Sequence, residues 1–280
     1  MKTNSNKRKV LITVCFIILL AICIIWIFPM IWALLTAFQS ENEIQRMDFH
    51  ILPVEFTFEN YAKLFHNDSS PVLRWFANSL VIALGHMGLV VVIVSLAGYG
   101  FTRLHFKGRD TLFLILMATM MFPSVMNLIP NFKIVDSLGW TNTYLAVIIP
   151  GAAGVINVFL VRQFMLGIPK ELDEAAYVDG ANHWQVFWNI IPPNSKPVLM
   201  VVALFSFTGA WNDFLWPSIV MRDVDMLPIT PGLQLLQGQY MTYPGIAMAG
   251  AILAIIPTFV LYLFAQKKFM ESMSLGSGIK

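Results

Sequence analysis

The residues best placed to do chemistry lie in a polar stretch between two long apolar runs. Carboxylates and small residues occur together there: Glu171, Glu174 and Asp179 with Ala175, Ala176, Gly180 and Ala181. Carboxylates can bind the cationic side chains of another protein, and residues with little side-chain bulk let that protein approach the backbone closely. The stretch therefore favours a docking surface for a partner protein.

Two other interpretations of this stretch are weaker. An amphipathic hairpin lying on the membrane would bring its acids against anionic lipid, which opposes binding. A DNA-reading helix-turn-helix needs bases for the phosphates, but residues 168–197 hold only Lys170 and Lys196 against four acids. Nucleic acid is therefore not an expected partner.

Local signals predict how this stretch folds. Pro169 and the acids after it are typical of a helix start, and Gly180 of a left-handed helix stop. Asn182 can cap a second helix, which the Pro192-Pro193 pair is expected to end. The apolar residues of that second helix recur on one face: Trp184, Phe187, Trp188 and Ile191. The prediction is a helix, a glycine turn and a helix.

Motifs for catalysis or metal binding are absent from the sequence. No phosphate-binding loop of the form Gly-x4-Gly-Lys-Ser/Thr occurs, so nucleotide energy is expected to come from a separate polypeptide. The histidines are scattered singly, and no paired-cysteine spacing or nucleophile elbow accompanies them. We therefore expect no enzyme, no metal site and no cofactor bound by this chain.

Composition predicts an all-α membrane protein. Of 280 residues, 57% are hydrophobic and 12% charged, against about 25% charged in soluble domains. Six apolar runs are long enough to span a bilayer, and Pro29 is expected to kink the first. They cover about residues 10–38, 77–101, 111–129, 144–165, 198–221 and 245–265.

The distribution of bases predicts the orientation of these spans. Thirteen Lys and Arg residues fall on one side and five on the other, which by the positive-inside rule places both termini in the cytoplasm. The chain then divides into three parts: residues 1–76 with the first helix and an external segment that is either folded or draped, a membrane core at 77–266 with the polar stretch 168–197, and a cytoplasmic tail at 267–280.

Some residues within the spans are candidates for a translocation pathway. The third span is rich in methionine and holds Met121 and Asn127. Its flexible methionine side chains either form an adaptable surface that lines a pathway or simply fill an apolar helix. The fifth span holds Trp211, Asn212 and Asp213. An acid there faces either the bundle interior, as a functional group, or the outer interface beside an aromatic belt. In the fourth span, Gly151 to Gly154 are small enough for a neighbouring helix to pack closely.

The polar stretch resembles a motif of a known family. Glu174-Ala-Ala, three residues, Gly180, nine residues, Ile190 and Pro193 are similar to the EAA loop in membrane-spanning subunits of ATP-binding-cassette importers. The flanks match the carbohydrate-importer branch, in the manner of the maltose-system permease, although Pro192 replaces the usual leucine. Further family-like blocks are Ala97–Arg103, Phe159–Gln163, Trp211–Pro217 and Leu275–Lys280.

The resemblance implies a fold and a set of partners. It implies a six-helix type I importer permease in a bacterial cell membrane, paired with a second permease, two ATPase subunits that hold ATP and Mg²⁺, and an extracytoplasmic solute-binding protein that delivers sugar. The EAA loop would couple ATPase closure to alternating access. Gly276, Gly278 and Lys280 would reach the ATPase interface, unless the tail is a frayed terminus.

Other function classes have less support from the residues. An ion-coupled secondary transporter needs several intramembrane ionisable groups, and only Asp213 is a candidate. A membrane sensor or scaffold has no need of an acidic, alanine-rich helical handle. The sequence thus favours an importer permease.

Overall fold

The structure, a computed structural model, describes residues 2–46, 52–66, 70–239 and 243–276, and within these ranges all of the regular secondary structure is helical. Its α-helices are α1 Lys2–Ala37, α2 Glu41–Gln45, α3 Glu59–Phe65, α4 Val72–Thr102, α5 Arg109–Thr119, α6 Leu128–Ser137, α7 Leu145–Ile148, α8 Val155–Leu166, α9 Glu171–Val178, α10 His183–Asn189, α11 Ile191–Asn194, α12 Lys196–Asn212, α13 Leu215–Val220, α14 Ile229–Gln239 and α15 Pro244–Gly276. Two 3₁₀ helices lie at Ser124–Asn127 and Val224–Met226. The all-helical prediction is confirmed.

Three of the six predicted spans are single continuous helices, and the other three consist of shorter helices. Long apolar helices run over Arg8–Ala37, Val72–Thr102 and Pro244–Gln266. The other predicted spans are interrupted, because each contains a turn that the composition of the run conceals. Pro29 lies inside α1, which continues through it.

The third predicted span is bent. Helix α5 ends at Thr119, and the segment Ser124–Ser137 leaves it at 95°. Pro123 stands at this break, where a proline disfavours helical geometry in the residue before it. The predicted end at Pro130 is wrong, because Pro130 lies in the first turn of α6, where the missing N–H needs no partner.

The fourth and fifth predicted spans are also broken. Gly151 has φ of +82° and forms a turn between α7 and α8, and a Cβ there would meet nothing within 4 Å. Gly151 therefore supplies a backbone conformation instead of the predicted close helix packing. Helix α12 ends at Asn212, and Asp213 is extended, with φ −67° and ψ 124°.

Two compact units make up the chain. The first comprises residues 1–70 and 233–255. In it, the segment after α1 is folded, since the Asn60 side-chain amide donates to the carbonyls of Ala37 and Gln39 at 3.0 and 2.8 Å. Phe38 packs edge-on against Phe58, with ring centroids 5.3 Å apart.

The second unit comprises residues 71–232 and 256–280. Helices α8 and α12 pack on α4, and their buried side chains form one core cluster with those of the polar stretch: Val90, Val94, Tyr99, Ala152, Val158, Val161, Met165, Ile168, Val186, Phe187, Ile191, Val198 and Val202. The polar stretch is therefore anchored in the core of the helical bundle.

The loop after α13 is fastened to the start of α4. The Asn78 amide donates to the carbonyls of Asp225 and Leu227 at 2.8 and 2.9 Å. The Trp75 indole donates to the carbonyl of Val224 at 2.7 Å. These bonds fix the loop to the first turns of α4, at the end of that helix away from the polar stretch.

A close approach of α4 and α8 depends on Gly98. A Cβ at this position would lie 2.8 Å from Val161 and 3.1 Å from the Met165 sulfur, whereas one at Gly100 would meet nothing within 4 Å. We expect Gly98→Ala to destabilise the folded protein by about 1–3 kcal/mol through overpacking, and the control Gly100→Ala to leave it unchanged or slightly more stable. Thermal unfolding in detergent measures both, and equal melting temperatures for the two variants would contradict this packing.

Candidate functional site

The polar stretch forms a helical hairpin of α9, a tight turn and α10. Gly180 has φ of +83°, as the predicted left-handed stop requires. The amides of Gly180 and Ala181 donate to the carbonyls of Tyr177 and Ala176 at 3.0 and 2.9 Å, which is the pattern of a Schellman motif. The turn thus satisfies the last carbonyls of α9 without help from another element.

The second helix of the hairpin begins as predicted. The Asn182 side chain accepts from the Gln185 amide at 2.9 Å, and the Gln185 side chain accepts from the Asn182 amide at 2.8 Å. This reciprocal capping box fixes the entry into α10. The expected stop at Pro192-Pro193 is only partly correct, because α10 ends at Asn189 and the prolines lie in the first turn of α11.

One face of the hairpin is exposed and acidic. Glu171, Glu174 and Asp179 are exposed together with Ala175 and Gly180. Two further candidate coupling residues, Ala176 and Ala181, are half-buried and pack against the core cluster. The hairpin therefore presents carboxylates and bare backbone outward, while its alanine side is held by the bundle.

Large apolar side chains add to this exposed surface. The sequence predicts one apolar face for α10, but only Phe187 and Ile191 of that face are buried, alongside Val186. Trp184 and Trp188 are 59% and 53% exposed, and Val178 of α9 is 87% exposed. Exposed indoles are typical of a protein-binding surface.

A buried ion pair fixes the hairpin to the end of α4. Arg103 Nε lies 2.7 Å from Asp173 Oδ2, with both side chains less than a tenth exposed. Arg103 also donates through Nη2 to the Ile168 carbonyl at 2.8 Å. The pKa of Asp173 is raised above its ordinary value, chiefly because the carboxyl group is buried. The Arg103 guanidinium opposes this rise, and the neighbouring Glu174 adds to it. The carboxylate is thus costly to keep charged without its arginine.

Neutral contacts join the same elements. The Tyr99 hydroxyl donates to the His183 carbonyl at 3.1 Å, and the Tyr99 ring packs on Phe187 with centroids 5.4 Å apart. The hydroxyl of Tyr177 lies 2.7 Å from His183 Nδ1. Tyr99 of α4 therefore contacts α10, and the Tyr177 hydroxyl joins α9 to α10.

Sequence reasoning missed this attachment. It named Arg103 only as the end of a family-like block, and it treated Asp173 only as one of the acids at the start of the first predicted helix. One signal was available, since Asp173 precedes Ala176 by three residues and shares its helix face. The partner of Asp173, seventy positions away, has no comparable signal.

A second candidate site is a cavity of about 560 Å³ where the helices break. Its polar lining residues are His86, Ser124, Asn131, Asn157, Ser206 and Asp213, and Trp216 forms part of the wall. Asp213 accepts a long hydrogen bond of 3.4 Å from the Trp216 amide. The indole of Trp216 donates to the Ala146 carbonyl at 2.8 Å, which fixes its ring.

The other pathway candidates lie near this cavity but do not line it. Trp211 is buried and stacks on Phe207 at 5.8 Å, while Asn212 is exposed. Met121 is 88% exposed, and Asn127 is exposed at the break after α5. Of these five candidates, only Asp213 belongs to the lining.

The remaining candidates concern the tail and metals. Gly276 ends α15, whereas Gly278 and Lys280 lie outside the described residues. In the part of the chain that the structure describes, no group of three or more His, Cys, Asp or Glu side chains could hold a metal ion.

Comparison with known proteins places these features in a family context. The profile of the family described as "Binding-protein-dependent transport system inner membrane component" matches residues 90–270. The arabinooligosaccharides transport system permease protein AraQ of Bacillus subtilis is 33% identical over 259 residues, which is 92% of each chain. The maltodextrin transport system permease protein MdxG of the same organism is 32% identical over 98% of each chain.

A solved structure supports the fold. A chain of a bacterial ABC transporter involved in the import of the acidic polysaccharide alginate superposes with a TM-score of 0.84 at 22% identity, covering 93% of this chain and 97% of that one. A chain from the same kind of transporter in complex with a periplasmic protein bound to alginate pentasaccharide gives a TM-score of 0.65.

Proposed function

The chain belongs to the family of inner membrane components of binding-protein-dependent transport systems, and from this premise we propose that it is the permease subunit of an ATP-driven importer of sugars or oligosaccharides. One observation carries the proposal: a helical hairpin exposes Glu171, Glu174 and Asp179 around a glycine turn while its other side is anchored in the bundle. A surface of that kind allows a bound partner protein to transmit its movement to the helical bundle.

The relatives support saccharides as the substrate class. Proteins named for transport of arabinooligosaccharides, maltodextrin and lactose match over 90–98% of their own length at 32–33% identity. Coverage of that extent includes the spans, the hairpin and the cavity together. The substrate of this chain is accordingly a sugar or an oligosaccharide.

The partners follow from what this chain supplies. It is one multi-pass membrane component of the importer. A second, homologous permease completes the translocation pathway. This sequence contains no phosphate-binding loop, so two separate ATPase subunits bind ATP and Mg²⁺. One of them binds the hairpin of this chain, and the other binds the corresponding hairpin of the second permease. A solute-binding protein delivers the sugar to the extracytoplasmic face, and lipid surrounds α1, whose apolar side chains are exposed.

The geometry gives a mechanism for coupling. Closure of the ATPase dimer moves the hairpin, and the Arg103–Asp173 ion pair passes that movement to α4. Helices α8 and α12 pack on α4 and share its core cluster. The unit therefore responds by rigid-body rotation, which alternates access between the two faces of the membrane.

Purification and reconstitution of the complex test the proposal. A tag on this chain is expected to recover an ATPase and a second permease from native membranes, and vesicles containing the complex should take up saccharide only with internal ATP and the solute-binding protein. Uptake that proceeds without ATP, driven by an ion gradient, would contradict the proposal.

The proposed orientation places the hairpin in the cytoplasm. With Cys15 and Cys23 replaced by alanine, a single cysteine at His66, which is exposed after α3, should react with an impermeant thiol reagent in intact cells. A cysteine at Asn182 should react only after the cells are opened. Labelling of the Asn182 variant in intact cells would contradict the proposed orientation.

The tail is proposed to enter the interface between the ATPase subunits. Gly276 and Gly278 permit close backbone approach in a narrow cleft, and Lys280 adds a cation. Deletion of residues 275–280 is then expected to leave assembly intact and to lower substrate-stimulated ATP hydrolysis severalfold. Unchanged hydrolysis by a fully assembled truncated complex would show that the tail is a frayed terminus.

A further inference from the structure

We propose that the cavity between α4, the α5–α6 break, α8, α12 and α13 is a saccharide site within this subunit, and that Asp213 makes the site selective for neutral over anionic saccharides. This inference rests on the proposed function and specifies its substrate class. It is carried by the size of the cavity, by its hydrogen-bonding groups and by its charge.

The cavity has the size of a ligand site and lies where the backbone is irregular. Its volume of about 560 Å³ falls within the range of roughly 300–1,000 Å³ typical of small-molecule sites. Helix α12 ends beside it at Asn212, and the turn at Gly151 forms another part of its wall. In a membrane-spanning chain, irregular backbone is tolerated where it is buried in protein or lines a cavity.

Its lining can recognise hydroxyl groups. His86 Nδ1 donates to the Ile148 carbonyl at 2.8 Å, so Nε2 is the ring nitrogen left for a ligand. The Ser206 hydroxyl is buried and has no hydrogen-bond partner among the described residues. The amides of Asn131 and Asn157 add both donors and acceptors. A sugar hydroxyl donates and accepts, and so matches such a mixed lining.

The charge of the cavity selects among saccharides. Asp213 is its only carboxylate, and no lysine or arginine lines it. Among the described residues no base lies within ion-pair distance of Asp213, whose hydrogen bond to the Trp216 amide is long, at 3.4 Å. A carboxylate can accept hydrogen bonds from neutral sugar hydroxyls, but it repels the carboxylate of a uronic acid.

The shared fold alone does not set the charge of this site. A solved chain with this fold comes from an importer of an acidic polysaccharide. Two chains with one fold can differ in substrate through a single charge in the cavity. This chain is accordingly assigned neutral oligosaccharides.

Thiol protection in the purified full complex tests the site directly. The probe is one cysteine at Ser124, on the cavity wall, in a background with Cys15 and Cys23 replaced by alanine. Labelling by a small maleimide is timed without solute-binding protein, in the presence of maltotriose, arabinotriose, galactotriose or trigalacturonate. ATP-dependent uptake by the same complexes is measured in parallel.

Asp213→Asn removes the charge and keeps a hydrogen-bond acceptor, while Asp136→Asn is the matched control, on an exposed acid of α6 outside the lining. At least one neutral trisaccharide should slow labelling severalfold and trigalacturonate should not. Asp213→Asn should lower the preference for neutral over anionic trisaccharide by about tenfold, corresponding to the loss of one charge–charge contact, and Asp136→Asn should not change it.

Three results would count against these assignments. Equal protection by trigalacturonate and a neutral trisaccharide in the unsubstituted cavity would overturn the charge selectivity. Absence of protection by every saccharide, in complexes that still import sugar with ATP, would overturn the site and leave the proposed function standing. Absence of ATP-dependent import of any saccharide would overturn the proposed function itself.

Discussion

Replacement of Arg103 by methionine is expected to destabilise the folded subunit by about 3–5 kcal/mol, because it leaves the Asp173 carboxylate buried without its cation. The Nε–Oδ2 distance of 2.7 Å and the near-complete burial of both side chains make this a costly contact to break. Thermal unfolding and the yield of assembled complex measure the loss.

A double substitution separates charge burial from coupling. Arg103→Met with Asp173→Leu removes both charges, so most of the stability should return. Import should remain low if the ion pair transmits movement from the hairpin to α4. Lys107→Ala removes an exposed base from the same loop and serves as the control. Full stability and normal import of the Arg103→Met variant would contradict the attachment.

Substitutions in the turn and on the acidic face are expected to uncouple ATP hydrolysis from import. Gly180→Val places a β-branched residue at φ +83°, which costs about 1–2 kcal/mol, and a severalfold loss of import should follow. Because a Cβ there meets nothing within 4 Å of this chain, the loss comes from the backbone and from the docked partner. Gly180→Asn tolerates the left-handed conformation and should retain more import than the valine variant.

Glu174→Lys tests the charge of the same face. Glu174 is exposed, so the reversal should not disturb the fold but should weaken attachment of the ATPase and lower import at least tenfold. Copurification of the ATPase and uptake into vesicles measure the two effects. If the Glu174→Lys and Gly180→Val variants both import sugar normally with the complex intact, the hairpin is not the coupling element.

Local signals were sufficient to predict the hairpin. Gly180 and Asn182 act through bonds to residues within five positions, so their roles can be inferred from spacing alone. The fate of Trp184 and Trp188 could not be inferred in this way, because periodicity finds an apolar face without showing what covers it. These exposed indoles are expected to contact the ATPase.

Long-range contacts and breaks within apolar runs were harder to predict. Hydropathy located the third and fifth spans but not their breaks at residues 120–123 and 213, because a turn inside a membrane protein needs no polar residues when a cavity or neighbouring helix receives its backbone. The pairing of Arg103 with Asp173 depends on how α4 and the hairpin pack. Nothing local to either residue indicates the other.

Photo-crosslinking from the hairpin tests the central claim most directly. A photoreactive amino acid is placed at Ala175, which is exposed on α9 next to Glu174, and in a control at Lys133, which is exposed on α6. In complexes that import sugar, the Ala175 variant is expected to crosslink to the ATPase subunit and the Lys133 variant is not. Import-competent complexes in which Ala175 gives no crosslink to an ATPase, or in which Lys133 gives an equal one, would contradict the account.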